Sequence, residues 1–274
     1  GRHLYSRTKA WKRNTRRMVS HILDLARTHA YSLPATHPLD RFKSCIKKIM
    51  KAIELLPQLF TESEIMILDF NQLPVDLPEY KNIKTYFSSC LAKGIDPKLP
   101  ENRQKFNNDF LDKTGGRYLI SRYAEDRVEM LRGSQIEKEG RTIHMGIDIF
   151  SRDLEDVFAP SDGEIVAVGR EPGDHSFGHY IIFNPVNALT EHFLFLGHLS
   201  SDLPKAGKVH AGQKIAKLGD FVDGENGGWS RHLHVQLLKY LPKIDILPKG
   251  YSTKTNLALN IIEYPDPSFL VFNK

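Results

Sequence analysis

Glycine is distributed unevenly along this chain of 274 residues, and that distribution constrains the fold more than any other feature. Seventeen of the 19 glycines lie at or beyond Gly115, and only Gly1 and Gly94 precede it. A stretch that is poor in glycine is typical of helices, whereas tight turns between short strands use glycine. We therefore predict an α+β chain, with an N-terminal helical domain over residues 1–112 and a mostly antiparallel β domain over residues 113–274.

Residues 1–112 carry apolar side chains at helical spacing. Patterns of this kind cover residues 6–31, 80–91 and 101–111, and the clearest stripe is Phe42, Ile46, Ile49, Ile53 and Leu56. Thr61 and Glu64 form a capping box, which predicts a helix that begins near Ile65. No catalytic constellation is found in this part, and its role is left open.

The positive charge of the chain is concentrated at one end. Residues 1–60 hold 13 Lys and Arg against 3 Asp and Glu, so this stretch is +10 while the whole chain is +5. Basic arms attract nucleic acid or anionic membranes in some proteins, but a solvated helix face is the simpler interpretation. Because no series of aromatic residues for base stacking accompanies these charges, no nucleic-acid partner is expected.

Beyond residue 113 the apolar period changes from helical to two residues. Residues 143–150 alternate cleanly and are predicted to form one continuous strand. Glycine- and proline-containing turn signals separate the other predicted strands, which cover residues 118–123, 157–168, 180–183, 192–196, 214–218 and 233–238. Many short strands with such turns indicate an antiparallel sheet or a barrel-like sandwich.

Three short segments of the second part carry the chemistry. In a strand, His144 and Asp148 point to one face, and the glycine between them leaves room for an ion or a substrate. His232 and His234 share one face in the same way, and His198 ends a further apolar strand. A catalytic zinc needs three such imidazole or carboxylate ligands and one open position for water. A buried, hydrogen-bonded His–Asp pair is the alternative interpretation.

These motifs resemble those of a known family. HxGxD at 144–148, GHLS at 197–200 and HxH at 232–234, in this order, resemble the M23 (LytM-like, lysostaphin-type) zinc metallopeptidases, which cleave amide bonds in peptidoglycan stem peptides or cross-bridges. The resemblance covers about residues 117–240, with supporting stretches at 157–165, 209–215 and 226–232. The tail around residues 264–268 also resembles a branch in which the M23-like domain is fused to aminotransferase-type enzymes.

The resemblance implies a bacterial zinc metallo-endopeptidase with one zinc ion per chain. It implies that His144, Asp148 and His234 are the zinc ligands. It also implies that His198 and His232 are catalytic residues outside the ligand set, which orient the attacking water, stabilise the developing oxyanion and pass a proton to the leaving amine. Leu196 departs from the family pattern, because many members have an aromatic residue before Gly-His.

Two other functions remain open at this stage. The chain is either a non-catalytic LytM-like scaffold that binds or regulates a partner, for which the helical domain is a candidate surface, or the same zinc hydrolase acting on a cytoplasmic peptide or amide. No run of about 18 uncharged apolar residues occurs, so no transmembrane segment is expected. No signal peptide is visible in a sequence that begins at Gly1. The resemblance by itself leads us to expect a bacterial cell-envelope or secreted location, with a cytoplasmic location as the alternative.

Overall fold

The computed structural model describes residues 65–68, 83–186, 190–222, 224–243 and 246–271, all within one compact unit, Ile49–Lys274. Most of the predicted helical domain, including the basic stretch over residues 1–60, lies outside these residues. The division at residues 112 and 113 therefore stays a prediction. No helix in the described ranges is long and apolar enough to cross a membrane.

Two helices occur where the sequence predicts them before residue 115. They are α1, Ile83–Ala92, and α2, Pro100–Thr114. Helix α2 begins with Pro100, whose fixed φ suits the first helical turn, and ends at Gly115, which adopts a left-handed φ of 71°. By contrast, the helix predicted from Ile65 is wrong, because Ile65–Leu68 forms strand β1. A short run of four apolar residues suits a strand as well as a helix.

The remaining elements are mostly strands, as predicted. After α2 the chain contains three short helices, α3 Val128–Leu131, α4 Gln135–Lys138 and α5 Leu257–Glu263, and a 3-10 turn at Ser268–Leu270. The strands are β2 Tyr118–Ser121, β3 Arg141–His144, β4 Ile147–Phe150, β5 Asp156–Phe158, β6 Gly163–Glu171, β7 Gly178–Pro185, β8 Phe193–Leu199, β9 Gly207–Val209, β10 Lys214–Lys217, β11 His232–Leu238 and β12 Tyr251–Thr253.

One large sheet organises the molecule. Its eight strands follow the order β1-β2-β4-β11-β8-β7-β6-β9, and two pairs, β10-β5 and β12-β3, lie outside it. Only the β1-β2 pair among these described strands is parallel. The prediction of a mostly antiparallel β domain is therefore confirmed.

The predicted continuous strand over residues 143–150 is wrong in one respect. The chain leaves strand geometry at Met145 and Gly146. Strand β3 then pairs with β12, whereas β4 pairs with β2 and β11. The side chains at the two ends of this break consequently approach each other, although four residues of straight strand would separate them by about 13 Å.

The main hydrophobic core lies on one side of the central strands. Ile147 and Ile149 of β4 and Val235 and Leu237 of β11 belong to this core, together with Leu196 of β8. Because side chains alternate along a strand, the intervening residues of β4 and β11 point to the opposite side. That side carries the polar residues described next.

Candidate metal centre

Strand β11 lies between β4 and β8, and this order brings the separated motifs together. In the sheet His234 is paired with Asp148 on one side and with Gly197 on the other. His144 ends β3 just before the break, and His198 follows Gly197 on β8. The structure thus places all five predicted site residues in one cluster, each buried with a relative exposure between 1% and 5%.

Three side chains form a compact triangle of donor atoms. His144 Nε2 lies 3.1 Å from His234 Nδ1, which lies 3.0 Å from Asp148 Oδ1. The third edge, from His144 Nε2 to Asp148 Oδ1, is 3.5 Å. Four ligands around a tetrahedral Zn²⁺ at about 2.0–2.2 Å lie about 3.3–3.6 Å apart. The three residues therefore have the spacing of a group that could hold a metal ion.

The hydrogen bonds around His234 aim a lone pair into this triangle. His234 Nε2 lies 3.0 Å from Gln236 Oε1. An amide oxygen only accepts, so Nε2–H donates, and in the neutral ring Nδ1 then carries no proton. That bare Nδ1 faces the carboxylate of Asp148, and two acceptors at this distance need a cation or a proton between them. Gln236 thereby fixes the tautomer that a metal ligand requires.

The other two histidines are fixed in the opposite tautomer. His232 Nδ1 donates to the carbonyl of Ser230 at 2.6 Å, and His198 Nδ1 donates to the carbonyl of Asn226 at 2.8 Å. Their Nε2 atoms are consequently unprotonated when the rings are neutral. His232 Nε2 lies 3.6 Å from Asp148 Oδ1. The ring centroids of His198 and His232 are 4.3 Å apart.

Burial sets the charge state of the cluster. It lowers the pKa of His232 to about 4 and holds the pKa of His144 and His198 well below the ordinary histidine value. Burial alone would raise the pKa of Asp148, but its interactions with the neighbouring His144 and Arg127 lower that pKa well below its usual range. Neutral imidazoles and an ionised carboxylate are the forms that bind a metal ion.

Two residues of the cluster were not predicted from the sequence. Gln236 shares a strand face with His232 and His234, so the period of two could have identified it. Arg127 donates from Nη1 to Asp148 Oδ2 at 2.6 Å, and nothing in the sequence around it signals this contact. His144 Nδ1 is buried and has no hydrogen-bond partner among the described residues.

A cavity of about 610 Å³ opens above the cluster. Besides the cluster itself and Phe150, its lining combines aromatic, apolar and charged residues from five parts of the chain. They are helix α2 (Arg103, Phe106, Asn107), the stretch from Arg127 to Arg141 (Arg127, Met130, Ile136, Arg141), the segment from Glu171 to Phe177, the approach to β11 (Trp229, Ser230) and the segment from Ile246 to Tyr251. A volume of this size is within the range of ligand-binding clefts. The cavity is therefore a groove whose floor is the donor triangle and the two further histidines.

Residues 142–246 match the model of peptidase family M23. This M23 segment contains every predicted site residue, and the match confirms the resemblance drawn from the three motifs. The similarity of the tail to the aminotransferase-fused branch stays a prediction.

Solved structures of M23 proteins were also compared with the chain. The catalytic domain of lysostaphin from Staphylococcus simulans is 23% identical, with 43% of this chain and 80% of that chain covered and a TM-score of 0.31. A mutant catalytic domain of the prophage-encoded M23 protein EnpA from Enterococcus faecalis is 23% identical, with 40% and 75% covered and a TM-score of 0.31. No curated protein matched the chain.

Proposed function

We propose that this chain is a zinc-dependent metallo-endopeptidase that hydrolyses amide bonds in peptidoglycan stem peptides or cross-bridges. The observation that carries the proposal is the donor triangle of His144, Asp148 and His234. Its edges of 3.0 to 3.5 Å are close to those of a tetrahedral zinc site, and the bond from His234 Nε2 to Gln236 favours the tautomer whose Nδ1 lone pair faces the triangle. The match of residues 142–246 to family M23 supports the same chemistry.

The three ligands would leave one position open toward the groove. A zinc ion held by His144, Asp148 and His234 would supply two effects, namely a pKa of about 7 for a bound water molecule and polarisation of the scissile carbonyl group. The chain would provide proton transfer through His198 and His232. Their unprotonated Nε2 atoms accept a proton from the attacking water and return it to the leaving amine nitrogen. The protonated rings also stabilise negative charge on the carbonyl oxygen.

The groove supports a peptide substrate. Its walls supply aromatic and apolar surface at Phe106, Trp229 and Tyr251 and charged groups at Arg103 and Glu171. Such a lining binds the backbone and side chains of a short peptide segment around the scissile bond. The histidines at the floor are buried, so the amide must enter the groove to reach them.

Metal content and hydrolysis test the proposal together. The wild-type protein is expected to bind about one zinc per chain and to release new amino groups from peptidoglycan fragments. His234→Ala removes one of three ligands, so zinc and hydrolysis should be lost together. His210→Ala is the control, because the His210 side chain is 88% exposed.

Each contrary result has a distinct meaning. Stoichiometric zinc in His234→Ala would overturn the ligand assignment. Zinc binding by the wild type without hydrolysis of any peptidoglycan fragment or peptide would overturn the proposed activity and favour the non-catalytic scaffold. Hydrolysis of small peptides but not of peptidoglycan would keep the chemistry and change the substrate.

A further inference from the structure

We propose that Arg127 is a positioning residue that sets the metal affinity of the centre by holding Asp148 in its ligand orientation. The inference rests on the proposed metal centre. Arg127 lies before residue 142, where the match to family M23 begins.

The two oxygens of Asp148 have different partners. Oδ2 accepts from Arg127 Nη1 at 2.6 Å, whereas Oδ1 faces the two ligand nitrogens of His144 and His234 at 3.5 and 3.0 Å. The backbone N–H of Asp148 also donates to Ser121 Oγ at 2.8 Å. One carboxylate oxygen is thus occupied by the guanidinium, and the other is directed into the donor triangle.

Arg127 is itself held rigidly. Both it and Glu125 are almost fully buried, with side-chain exposures of 2% and 3%. Glu125 Oε1 lies 2.8 Å from Arg127 Nε and 2.8 Å from Nη2, so two nitrogens of the planar guanidinium contact the same carboxylate oxygen. A planar guanidinium with fixed donors orients a carboxylate more strictly than a flexible ammonium group does.

The backbone around Arg127 is joined to the strand that carries His144. Arg127 N donates to the carbonyl of Thr142 at 2.8 Å, His144 N donates to Glu125 at 3.0 Å, and Ala124 N donates to His144 at 2.9 Å. The guanidinium then reaches across the break between β3 and β4 to Asp148. Arg127 therefore connects the two ligands that flank the break, and it fixes their separation independently of the connecting residues.

The positive charge of Arg127 has two opposing effects on a bound cation. It repels the ion, but it also removes the cost of a buried carboxylate that is unpaired before the ion binds. Glu125 contacts the other edge of the guanidinium, so the charge is shared between two acids. We infer that orientation outweighs repulsion, because partners of metal ligands typically change metal affinity by about 10- to 100-fold when they are removed.

The test is the zinc dissociation constant of full-length variants, measured by competition with a chromophoric chelator at pH 8. Arg127→Met is expected to bind zinc about 10- to 100-fold more weakly than the wild type. Arg127→Lys restores the charge without the planar fork and should recover only part of that loss. The matched control is Arg132→Met, since Arg132 also pairs with a glutamate, Glu129, but its side chain is 59% exposed.

The thermal unfolding of the metal-free variants separates positioning from a purely structural role. A folded Arg127→Met protein with a lower Tm but a zinc dissociation constant within twofold of the wild type overturns the proposal, and so does tighter binding. If Arg127→Met does not fold, Glu125→Gln takes its place. We expect this variant to bind zinc several-fold more weakly than the wild type, and an unchanged zinc dissociation constant would contradict the proposal. A wild-type protein that binds no zinc overturns the proposed function itself.

Discussion

At the scale of single residues, His198 is the side chain of the cluster whose backbone and ring are held most tightly in place. It is a non-glycine residue with a left-handed φ of 62°, a conformation that is uncommon for such residues and concentrates at functional sites. Its backbone is fixed on both sides, since His198 N donates to Phe177 and its carbonyl accepts from Gly219 N. With Nδ1 bound to the Asn226 carbonyl as well, the ring has one orientation.

His198→Ala should separate metal binding from turnover. Because His198 lies outside the donor triangle, the variant is expected to keep zinc while kcat falls by about 10²- to 10⁴-fold, as removal of a proton-transfer group does. Zinc content and steady-state kinetics on the same preparation check this. Near-wild-type kcat would remove His198 from the mechanism, and loss of zinc would make it a ligand.

At the scale of single residues, the sequence predicted which residues lie in the site better than it predicted what each of them contacts. The motifs identified the five residues that the structure brings together. Alternation accounts for His232 and His234 on one face of β11, whereas the break at Met145 and Gly146 brings His144 to Asp148. Gly146 was interpreted as room for an ion or a substrate. In the structure a Cβ at that position would lie 2.6 Å from His234 Cε1, so the imidazole ring of His234 occupies that space. Arg127 could not be predicted, because its contact with Asp148 depends on a loop that crosses the break between β3 and β4.

Helix α2 is the element that extends the site beyond the three motifs. Gln104 is 5% exposed and connects the helix to the sheet. Its Nε2 donates to the Ser151 carbonyl at 2.9 Å, and its Oε1 accepts from Arg231 N at 2.7 Å. Asn107 Nδ2 adds a longer contact, 3.4 Å, to Ser230 Oγ. The helix is thus attached next to His232, with its other residues forming one wall of the groove.

Gln104→Leu is expected to loosen this wall. The substitution leaves the Arg231 N–H and the Ser151 carbonyl without their partner, and each buried unsatisfied group costs about 1–3 kcal/mol. The free energy of unfolding in urea should fall by about 2–6 kcal/mol and KM should rise, while the zinc dissociation constant stays unchanged. Gln135→Leu is the control, because Gln135 makes only an exposed contact with Glu139. An unchanged KM would exclude α2 from substrate binding.

The sequence predicted the helical character of α2 but not its position. Its period and its proline and glycine ends are local signals. Docking, by contrast, depends on Gln104 meeting backbone groups at Ser151 and Arg231, which are 47 and 127 residues away. The strand at Ile65–Leu68 fails for a related reason. Four apolar residues suit either element, and pairing with the distant strand β2 selects the strand.

For the molecule as a whole, the buried histidines make the stability of the metal-free protein depend on pH. The pKa of His144, His198 and His232 is lowered in the folded state, whereas histidines of the unfolded chain have a pKa of about 6.5. Below that pH the unfolded chain binds up to three more protons, which lowers the free energy of unfolding. Glu125 opposes this effect, because burial raises its pKa to about 7 and its folded form gains a proton in the same range.

Urea unfolding of the metal-free protein at pH 7.0 and pH 5.5 measures this balance. As the pH falls over this interval, protonation of the three histidines in the unfolded chain lowers the free energy of unfolding, and protonation of Glu125 in the folded protein offsets part of that loss. Together they predict a fall of about 2 kcal/mol in the free energy of unfolding. In His198→Gln the fall should be smaller by about 1 kcal/mol, whereas His210→Gln should leave it unchanged. A free energy that is constant or rises toward pH 5.5 would contradict the buried, neutral state of the histidines.

The overall architecture was predictable because turn residues and the alternation of apolar and polar residues are local features of the sequence over residues 113–274. The order of the strands was not, because it depends on which edges pair in space. That order decides the site, since β11 must lie between β4 and β8 for His234 to meet Asp148 and for His198 to lie nearby.

The position of Arg127 and helix α2 ahead of residue 142 has a practical consequence for recombinant work. An expression fragment cut at the limits of the family match would start one residue into β3, and it would lack Arg127 beside Asp148 and Gln104 beside Arg231. Such a fragment would have a groove without its α2 wall, and Asp148 would lack the contact with Arg127. Any substrate range or metal requirement measured on it would then describe the shortened polypeptide and not the longer chain. Expression fragments used to screen inhibitors or substrates should therefore begin upstream of α1.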